Sequence, residues 1–238
     1  MLSEKQSVSV VVPMFNEERT VVTLLERVLA SPVVAEVIVV DDCSTDGSVH
    51  AARSVVDSRL RLLQHGVNRG KGAALRTGFL ECSAPYVVVQ DADLEYDPVE
   101  YELLLEPLLA ERADVVFGSR FLTGRPHRVL YFWHSLGNRL LTLTSNIFTN
   151  LNLTDMETCF KMFRREVIQG LDLREDRFGI EPEITAKIAA GGWRVFEVGI
   201  SYSGRTYAEG KKIGWKDGLR AFVCIVRYSG LGRRLGLK

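Results

Sequence analysis

The sequence predicts an α/β fold whose core is a mostly parallel sheet flanked by helices. Three observations carry that expectation. Four short, valine-rich runs, at 7–13, 35–42, 85–93 and 113–120, are apolar without alternation, as strands covered on both faces of a parallel sheet are. Segments of helical periodicity stand between them, the order of a right-handed, doubly wound βαβ succession. The runs lead into chemically loaded residues, and in an open parallel sheet the carboxyl ends of the strands gather along one edge where ligands bind.

The first run, SVSVVVP, leads to Asn16 and Glu17. Val21, Leu24, Leu25, Val28 and Leu29 then recur as one helical stripe, with Asn16 as the N-cap and Glu17 and Glu18 near the positive helix end. The second run, AEVIVVDD, ends in Asp41 and Asp42, and Ser44 and Asp46 resemble the start of a helix. In NRGKGAALRTG (68–78), Gly70 and Gly72 flank Lys71 where another helix begins. The third run ends in Asp91-Ala92-Asp93, and Asp97-Pro98 caps the helix that follows. The fourth ends in Ser119-Arg120.

The second half reads differently. Residues 129–151 place Leu130, Trp133, Leu140, Leu141, Thr144, Phe148 and Leu151 near one face of an amphipathic helix. Pattern alone predicts that this face packs on the core, with Trp133 and His134 in a buried aromatic cluster. A helix over 181–190 closes at Gly191-Gly192, and RVFEVGISYS (194–203) alternates as a half-exposed strand. A basic, glycine-containing loop (203–214) precedes a second amphipathic helix with Trp215, Leu219, Phe222, Val223 and Val226, and the chain ends in the basic GLGRRLGLK.

The totals exclude several classes. Thirty basic and thirty acidic side chains cancel, so no global field points to nucleic acid as a partner. Cys43, Cys82, Cys159 and Cys224 are far apart and are expected as reduced thiols of a cytoplasmic protein, neither a disulfide frame nor a zinc site. The N-terminus is polar, with no signal peptide. No apolar run approaches the ~20 residues of a spanning helix, so the expectation is a protein not integral to a membrane, with peripheral contact through its amphipathic segments left open.

Four acids, Asp91, Asp93, Glu95 and Asp97, crowd one short stretch, and like charges this close repel unless something positive sits among them. Hard divalent cations such as Mg²⁺ take carboxylate oxygens together with substrate phosphates, and an Asp-x-Asp leaving a buried strand suits that use; a solvated acidic turn is the alternative. Lys71 at a helix start would add charge to a phosphate site; the alternative there is an ordinary capped turn. Asp41 and Asp42 suit hydrogen bonds to a base or ribose, or a capping role. No G-x-G-x-x-G follows the first strand, which argues against an NAD-type cofactor.

Six ordered pieces carry a resemblance: VVPMFNEE (11–18), VIVVDDCSTDGS (37–48), NRGKGAALRTGF (68–79), VVVQDADLEYDP (87–98), VVFGSRF (115–121) and DMETCFKMFRREV (155–167). Together they resemble the family 2 glycosyltransferases of GT-A fold, in particular the dolichol-phosphate mannose synthase-like, polyprenyl-phosphate glycosyltransferase group. The resemblance implies one GT-A domain over 1–238, with a nucleotide-sugar-binding half at about 7–125 and an acceptor half with an amphipathic tail at about 126–238. It implies a donor such as GDP-mannose or UDP-glucose, Mg²⁺ or Mn²⁺ as cofactor, and a polyprenyl phosphate acceptor (dolichyl or undecaprenyl) reached at the cytoplasmic face of a membrane.

Carried over by position, Pro13, Glu17, Asp41 and Asp42 would hold the nucleoside, with Lys71 nearby. Asp91, Ala92 and Asp93 would meet the donor diphosphate, and Asp91, Asp93 and Glu95 the metal. Arg205, with Lys211 or Lys212, would close over the diphosphate, and Arg120 would meet the acceptor phosphate. Arg128 and Ser135 fall on the acceptor side, with Arg125 and Arg139 near phosphate or anionic headgroups. Asp91, Asp93, Arg120 and Arg205 are therefore the expected catalytic set. Many relatives continue into C-terminal transmembrane helices, and this chain shows none, which leaves membrane delivery of the acceptor less defined. The alternatives are transfer to a saccharide or other hydroxyl, with an acid such as Asp155 or Glu157 as base, and a non-catalytic nucleotide-sugar-binding protein.

Overall fold

A computed structural model of the chain describes residues 7–122, 128–129, 131–205, 215–230 and 232. Its strands are β1 (Val8–Met14), β2 (Val34–Asp41), β3 (Leu60–Gln64), β4 (Tyr86–Val89), β5 (Val115–Ser119), β6 (Lys161–Arg164) and β7 (Val195–Gly199). Its helices are α1 (Val21–Ala30), α2 (Ser48–Ser54), α3 (Lys71–Glu81), α4 (Tyr101–Leu109), α5 (Phe132–Thr149), α6 (Arg165–Gly170), α7 (Ile180–Gly191) and α8 (Trp215–Tyr228), with a 3₁₀ turn over Pro98–Glu100. The strands form one seven-stranded sheet in the order β3-β2-β1-β4-β6-β5-β7.

The sheet is mostly parallel, as the valine runs predict: β1 pairs in parallel with β2 and β4, β2 with β3, and β5 with β7. Alternate residues of β1 enter two separate cores. Val8, Val10 and Val12 join Leu24, Leu25 and Leu104 on one face; Val11 joins Ile38, Leu75, Phe79 and Ile184 on the other. Both faces are covered, so the strand is apolar on both, and its one buried polar side chain, Ser9, donates to Glu36 at 2.6 Å. At the 3₁₀ turn, the Asp97 side chain accepts a hydrogen bond from the Val99 amide ahead of the Pro98 start, as the Asp-Pro pair predicts.

Four expectations need correction. Strand β3 was hidden in LRLLQ, an edge strand whose three leucines are only half-buried and whose Arg61 and Gln64 are exposed. Strand β6 is the four-residue KMFR, which runs antiparallel to both β4 and β5; a charged, four-residue segment carries no strand period of its own and is ordered by its two neighbours. Helix α1 starts at Val21 with Thr20 as its N-cap; Asn16 instead sits in the left-handed region at φ 54°, and its Oδ1 accepts from the Thr45 amide at 2.8 Å. Finally, Trp133 is not in a buried cluster. It is 77% exposed and meets Phe132 edge to face, ring centroids 5.1 Å apart.

Helix α5 therefore has two apolar faces. Leu141, Phe148 and Leu151 just beyond the helix end pack on the core. Phe132, Leu136, Leu140, Leu143 and Ile147, at helical spacing, stay exposed beside Trp133. Helix α8, which packs against α5, adds exposed Leu219, Phe222 and Val223. No described helix is long and apolar enough to cross a membrane.

Candidate active site

The loops that leave β1, β2 and β4 meet at one edge of the sheet, and the acids that follow β1 and β4 are held by two cations. Lys71, the first residue of α3, places Nζ 2.6 Å from Asp91 Oδ1, 2.8 Å from Cys159 Sγ and 3.9 Å from Glu181 Oε1. Burial works against the ammonium charge, but Asp91, Cys159 and Glu181 outweigh it and raise the Lys71 pKa well above the ordinary value. Burial likewise opposes the Asp91 carboxylate, and Lys71 overcomes it, so Asp91 stays ionised below its ordinary range. Lys161, on β6, lies 2.6 Å from the other Glu181 oxygen and donates to the Met156 and Thr158 carbonyls.

Arg205 holds the second group. Its guanidinium reaches both Glu17 oxygens at 3.1 and 3.2 Å and Asp93 Oδ2 at 2.8 Å, and its amide donates to Glu95 Oε1 at 2.7 Å. The Tyr202 hydroxyl donates to the other Glu95 oxygen at 2.6 Å. Burial first, then Asp91 and Glu95, push the Asp93 carboxyl up to about 7 against the pull of Arg205. The Asp-x-Asp pair is thus split: Asp91 turns to α3 and Asp93 to the segment after β7.

Arg120, at the end of β5, is 8% exposed and Asp155 is fully buried. Nε and Nη2 donate to the two Asp155 oxygens at 2.7 Å each, and the Arg120 amide adds a third bond at 3.0 Å. The guanidinium lies over the Tyr202 ring at 5.3 Å and the Phe121 ring at 5.8 Å. Arg139 of α5 covers the Phe121 ring at 5.7 Å, so two arginines flank one aromatic beside the exposed face of α5.

The remaining expected residues fall in different places. Pro13 lies opposite Val40 in the β1–β2 ladder. Asp41 accepts from the Ser44 amide. Asp42 is committed internally: Oδ1 accepts from the Arg69 amide and meets His65 Nδ1 at 2.7 Å, and Oδ2 accepts from the Gly70 amide at 2.6 Å. The Ala92 carbonyl accepts from the Thr20 hydroxyl at 2.7 Å. Gly70 has φ 99°, and Cβ atoms at Gly70 and Gly72 would lie 2.3 and 2.2 Å from the carbonyl oxygens of Asp176 and Glu175. Those glycines admit a neighbouring chain segment. Arg128 donates from Nη1 to the Gly204 carbonyl at 3.1 Å, and the Ser135 amide closes the first turn of α5 on Tyr131. Lys211, Lys212, Arg125, Leu130 and the charged residues of the basic tail lie outside the described residues.

Residues 9–171, well over half the chain, match the sequence model of Glycosyl transferase family 2. The chain is a family 2 glycosyltransferase. It is 29% identical over 246 residues to the undecaprenyl-phosphate mannosyltransferase of Micrococcus luteus, a match covering 95% of this chain and 98% of that one. It is 29% identical over 211 residues to the undecaprenyl-phosphate 4-deoxy-4-formamido-L-arabinose transferase of Aeromonas hydrophila, over 86% of this chain and 62% of that one. Among solved structures, the glucosyl-3-phosphoglycerate synthase of Mycobacterium tuberculosis with Mn²⁺, UDP-glucose and phosphoglyceric acid has TM-score 0.74 at 20% identity, over 95% of this chain and 80% of that one. That likeness is one of fold.

In this glycosyltransferase the chemistry of Glu17, Asp91, Asp93 and Glu95 fits a hard cation, being all carboxylate oxygen, and Arg205 already places positive charge among three of them. As they stand, no three carboxylates, thiols or imidazoles among the described residues are gathered closely enough to hold a metal; Arg205 separates them. Lys161 and Tyr202 were missed from sequence. A lysine inside the apolar CFKMF was the available signal for the first. Tyr202 shows only as one more apolar-face residue.

Glu157 stands apart from these pairs. Its Oε1 is closed off from solvent with no hydrogen-bond partner. Burial, and then Glu181, push its carboxyl up to about 7. A carboxyl raised in the folded state is protonated there at acid pH and must ionise inside the protein as pH rises, so the stability present below its ordinary pKa is lost on passing through about 7. Glu157→Gln should therefore melt like the wild type near pH 4 and be more stable at pH 8, by about 1–3 kcal/mol. Parallel melting curves at pH 4 and 8 check this; equal stability at pH 8 would count against it.

Proposed function

We propose that this glycosyltransferase moves a hexosyl group, mannose or glucose, from a nucleotide sugar to a polyprenyl phosphate, inverting the anomeric centre. The observation that carries the reading is the exposed apolar face of α5, whose Arg139 covers the Phe121 ring that Arg120 also meets, with α8 packed on α5 and adding exposed Leu219, Phe222 and Val223. A long prenyl chain needs apolar surface, its phosphate needs arginine, and here the two adjoin. The M. luteus and A. hydrophila relatives, both named for undecaprenyl phosphate, support the acceptor class. The M. tuberculosis structure, which holds Mn²⁺ and UDP-glucose, supports a metal-assisted nucleotide-sugar donor. The same apolar face suits peripheral contact with the membrane that carries such an acceptor, on its cytoplasmic side.

Cleavage of the sugar–diphosphate bond leaves negative charge on the departing oxygen. Mg²⁺ or Mn²⁺ held by Asp91, Asp93 and Glu95 would neutralise that charge. Lys71 and Arg205 bring fixed cations to the same edge, and the buried rings of Tyr96 and Tyr202 exclude water, which strengthens each charge interaction. Glu17, Pro13 and the main chain around Asp41 form the nucleoside side. Asp155 fixes the plane of the Arg120 guanidinium, which orients the acceptor phosphate. A phosphate oxygen is already ionised near neutral pH, so no side chain has to take a proton.

One observation favours a second reading. Of the two acids that could serve a hydroxyl acceptor as base, Asp155 is spent on Arg120, whereas Glu157 has an unpartnered oxygen and a pKa pushed up to about 7, in the range suited to general-base work.

The two readings separate in one assay. Purified protein with Mn²⁺ and labelled GDP-mannose or UDP-glucose is offered a polyprenyl phosphate, the corresponding polyprenol and a saccharide. Transfer to the phosphate alone is expected. Product from the polyprenol or the saccharide, with none from the phosphate, would replace the lipid-phosphate reading with the Glu157-assisted one.

A further inference from the structure

We propose that Arg205 is an internal counter-ion that keeps a bare divalent cation out of the donor site and yields its place only to a cation arriving with a nucleoside diphosphate. The inference rests on the donor site proposed above and concerns the order in which that site fills.

One guanidinium serves acids from two loops. Arg205 bonds Glu17, after β1, and Asp93, after β4. Its amide holds Glu95, and Nε lies 3.7 Å from the same carboxylate. The side chain is 19% exposed, so these contacts are weakly screened by water. The remaining acid, Asp91, is engaged by Lys71. Every carboxylate assigned to the metal therefore already has a positive partner.

A bare dication entering here would have to break the Arg205 contacts and would then face the displaced guanidinium at close range, where like charges repel strongly in a site of low dielectric. A diphosphate changes the exchange. The carboxylates pass from guanidinium to metal, and the guanidinium passes from carboxylates to phosphate oxygens, which its planar fork fits as well as it fits a carboxylate. No charge is left alone. Arg205 Nε is closed off from solvent and has no hydrogen-bond partner in its present position, so the group is incompletely satisfied where it rests. By linkage, a residue that couples metal to nucleotide must raise the affinity of each for the other by the same factor.

The test is binding, not turnover. Mn²⁺ is titrated into wild type, Arg205→Met and Arg205→Lys, with free Mn²⁺ followed by electron paramagnetic resonance, first alone and then with GDP or UDP. Wild type is expected to bind Mn²⁺ alone weakly and to gain more than about tenfold in affinity with nucleoside diphosphate. Arg205→Met should bind Mn²⁺ alone at least about tenfold tighter than wild type and gain much less from the nucleotide. Arg205→Lys, a point charge that cannot bridge three acids, should fall between, and it decides the matter if the methionine variant does not fold. Adding Asp93→Asn to either variant should remove the gained Mn²⁺ binding.

Metal affinities of both variants equal to wild type, with nucleotide-assisted Mn²⁺ binding intact, would overturn the counter-ion role alone. So would gained binding that is indifferent to Asp93→Asn. If neither GDP nor UDP tightens Mn²⁺ on wild type, the donor-site reading falls and takes this inference with it.

Discussion

Asp93→Asn should cut turnover by at least about 10²–10³-fold at saturating donor while leaving the protein as stable as wild type, or more so, at pH 8. The two halves of that result share one cause. Asp93 is buried beside Asp91 and Glu95, and its carboxyl is pushed up to about 7, so at pH 8 it is an ionised acid in a place that disfavours the charge. Asparagine removes that cost, and Arg205 keeps Glu17 and Glu95 as partners. What is lost is one of the carboxylates proposed to hold the divalent cation that would neutralise charge at the departing diphosphate. Steady-state rates with increasing Mn²⁺, set beside melting curves at pH 8, give both readouts. Wild-type rates in the variant would remove Asp93 from the reaction; a lower melting temperature would show that its charge serves the fold.

Asp155→Ala should have the opposite character, a loss of stability before anything else. Asp155 is fully buried and accepts three hydrogen bonds from Arg120. Removing it strands a guanidinium that is 8% exposed. Breaking a buried pair in this way costs about 3–5 kcal/mol, which for a chain of this size lowers the melting temperature by roughly 6–20 °C. The double variant Arg120→Met/Asp155→Ala should regain a large part of the loss, because no unpaired charge remains. A single variant that melts with wild type would mean that water reaches Arg120 and that the pair is not the buried link described here.

The sequence made the frame of the sheet legible because its strands are buried on both faces: β1, β2, β4 and β5 are valine runs that only a covered strand explains. It concealed β3 and β6 for opposite reasons. LRLLQ is an edge strand that gives up part of its surface to water, and KMFR is ordered by its two neighbours. The acids at the strand ends were visible as a concentration of like charge in QDADLEYD. Which cation answers each of them was not, because Lys71 and Arg205 reach Asp91 and Asp93 from segments distant in the chain. The Arg120–Asp155 pair spans thirty-five residues and leaves no local trace. Helix α5 misled because its residues are apolar on two faces, and periodicity reports that a face is apolar without saying what covers it.

The glycines around Lys71 have a consequence at the far end of the chain. Gly70 and Gly72 press on the backbone of Glu175 and Asp176, and the buried Glu175 side chain is tied to α8 by Arg220 at 2.8 Å and the Tyr228 hydroxyl at 2.9 Å. Glu183 braces the same stretch by accepting the Arg174 and Glu175 amides. The C-terminal helix is thus a buttress for the turn that aims Lys71. A minimal catalytic fragment trimmed ahead of Trp215 would lose more than a greasy appendage: it would let the turn that carries Lys71 go slack.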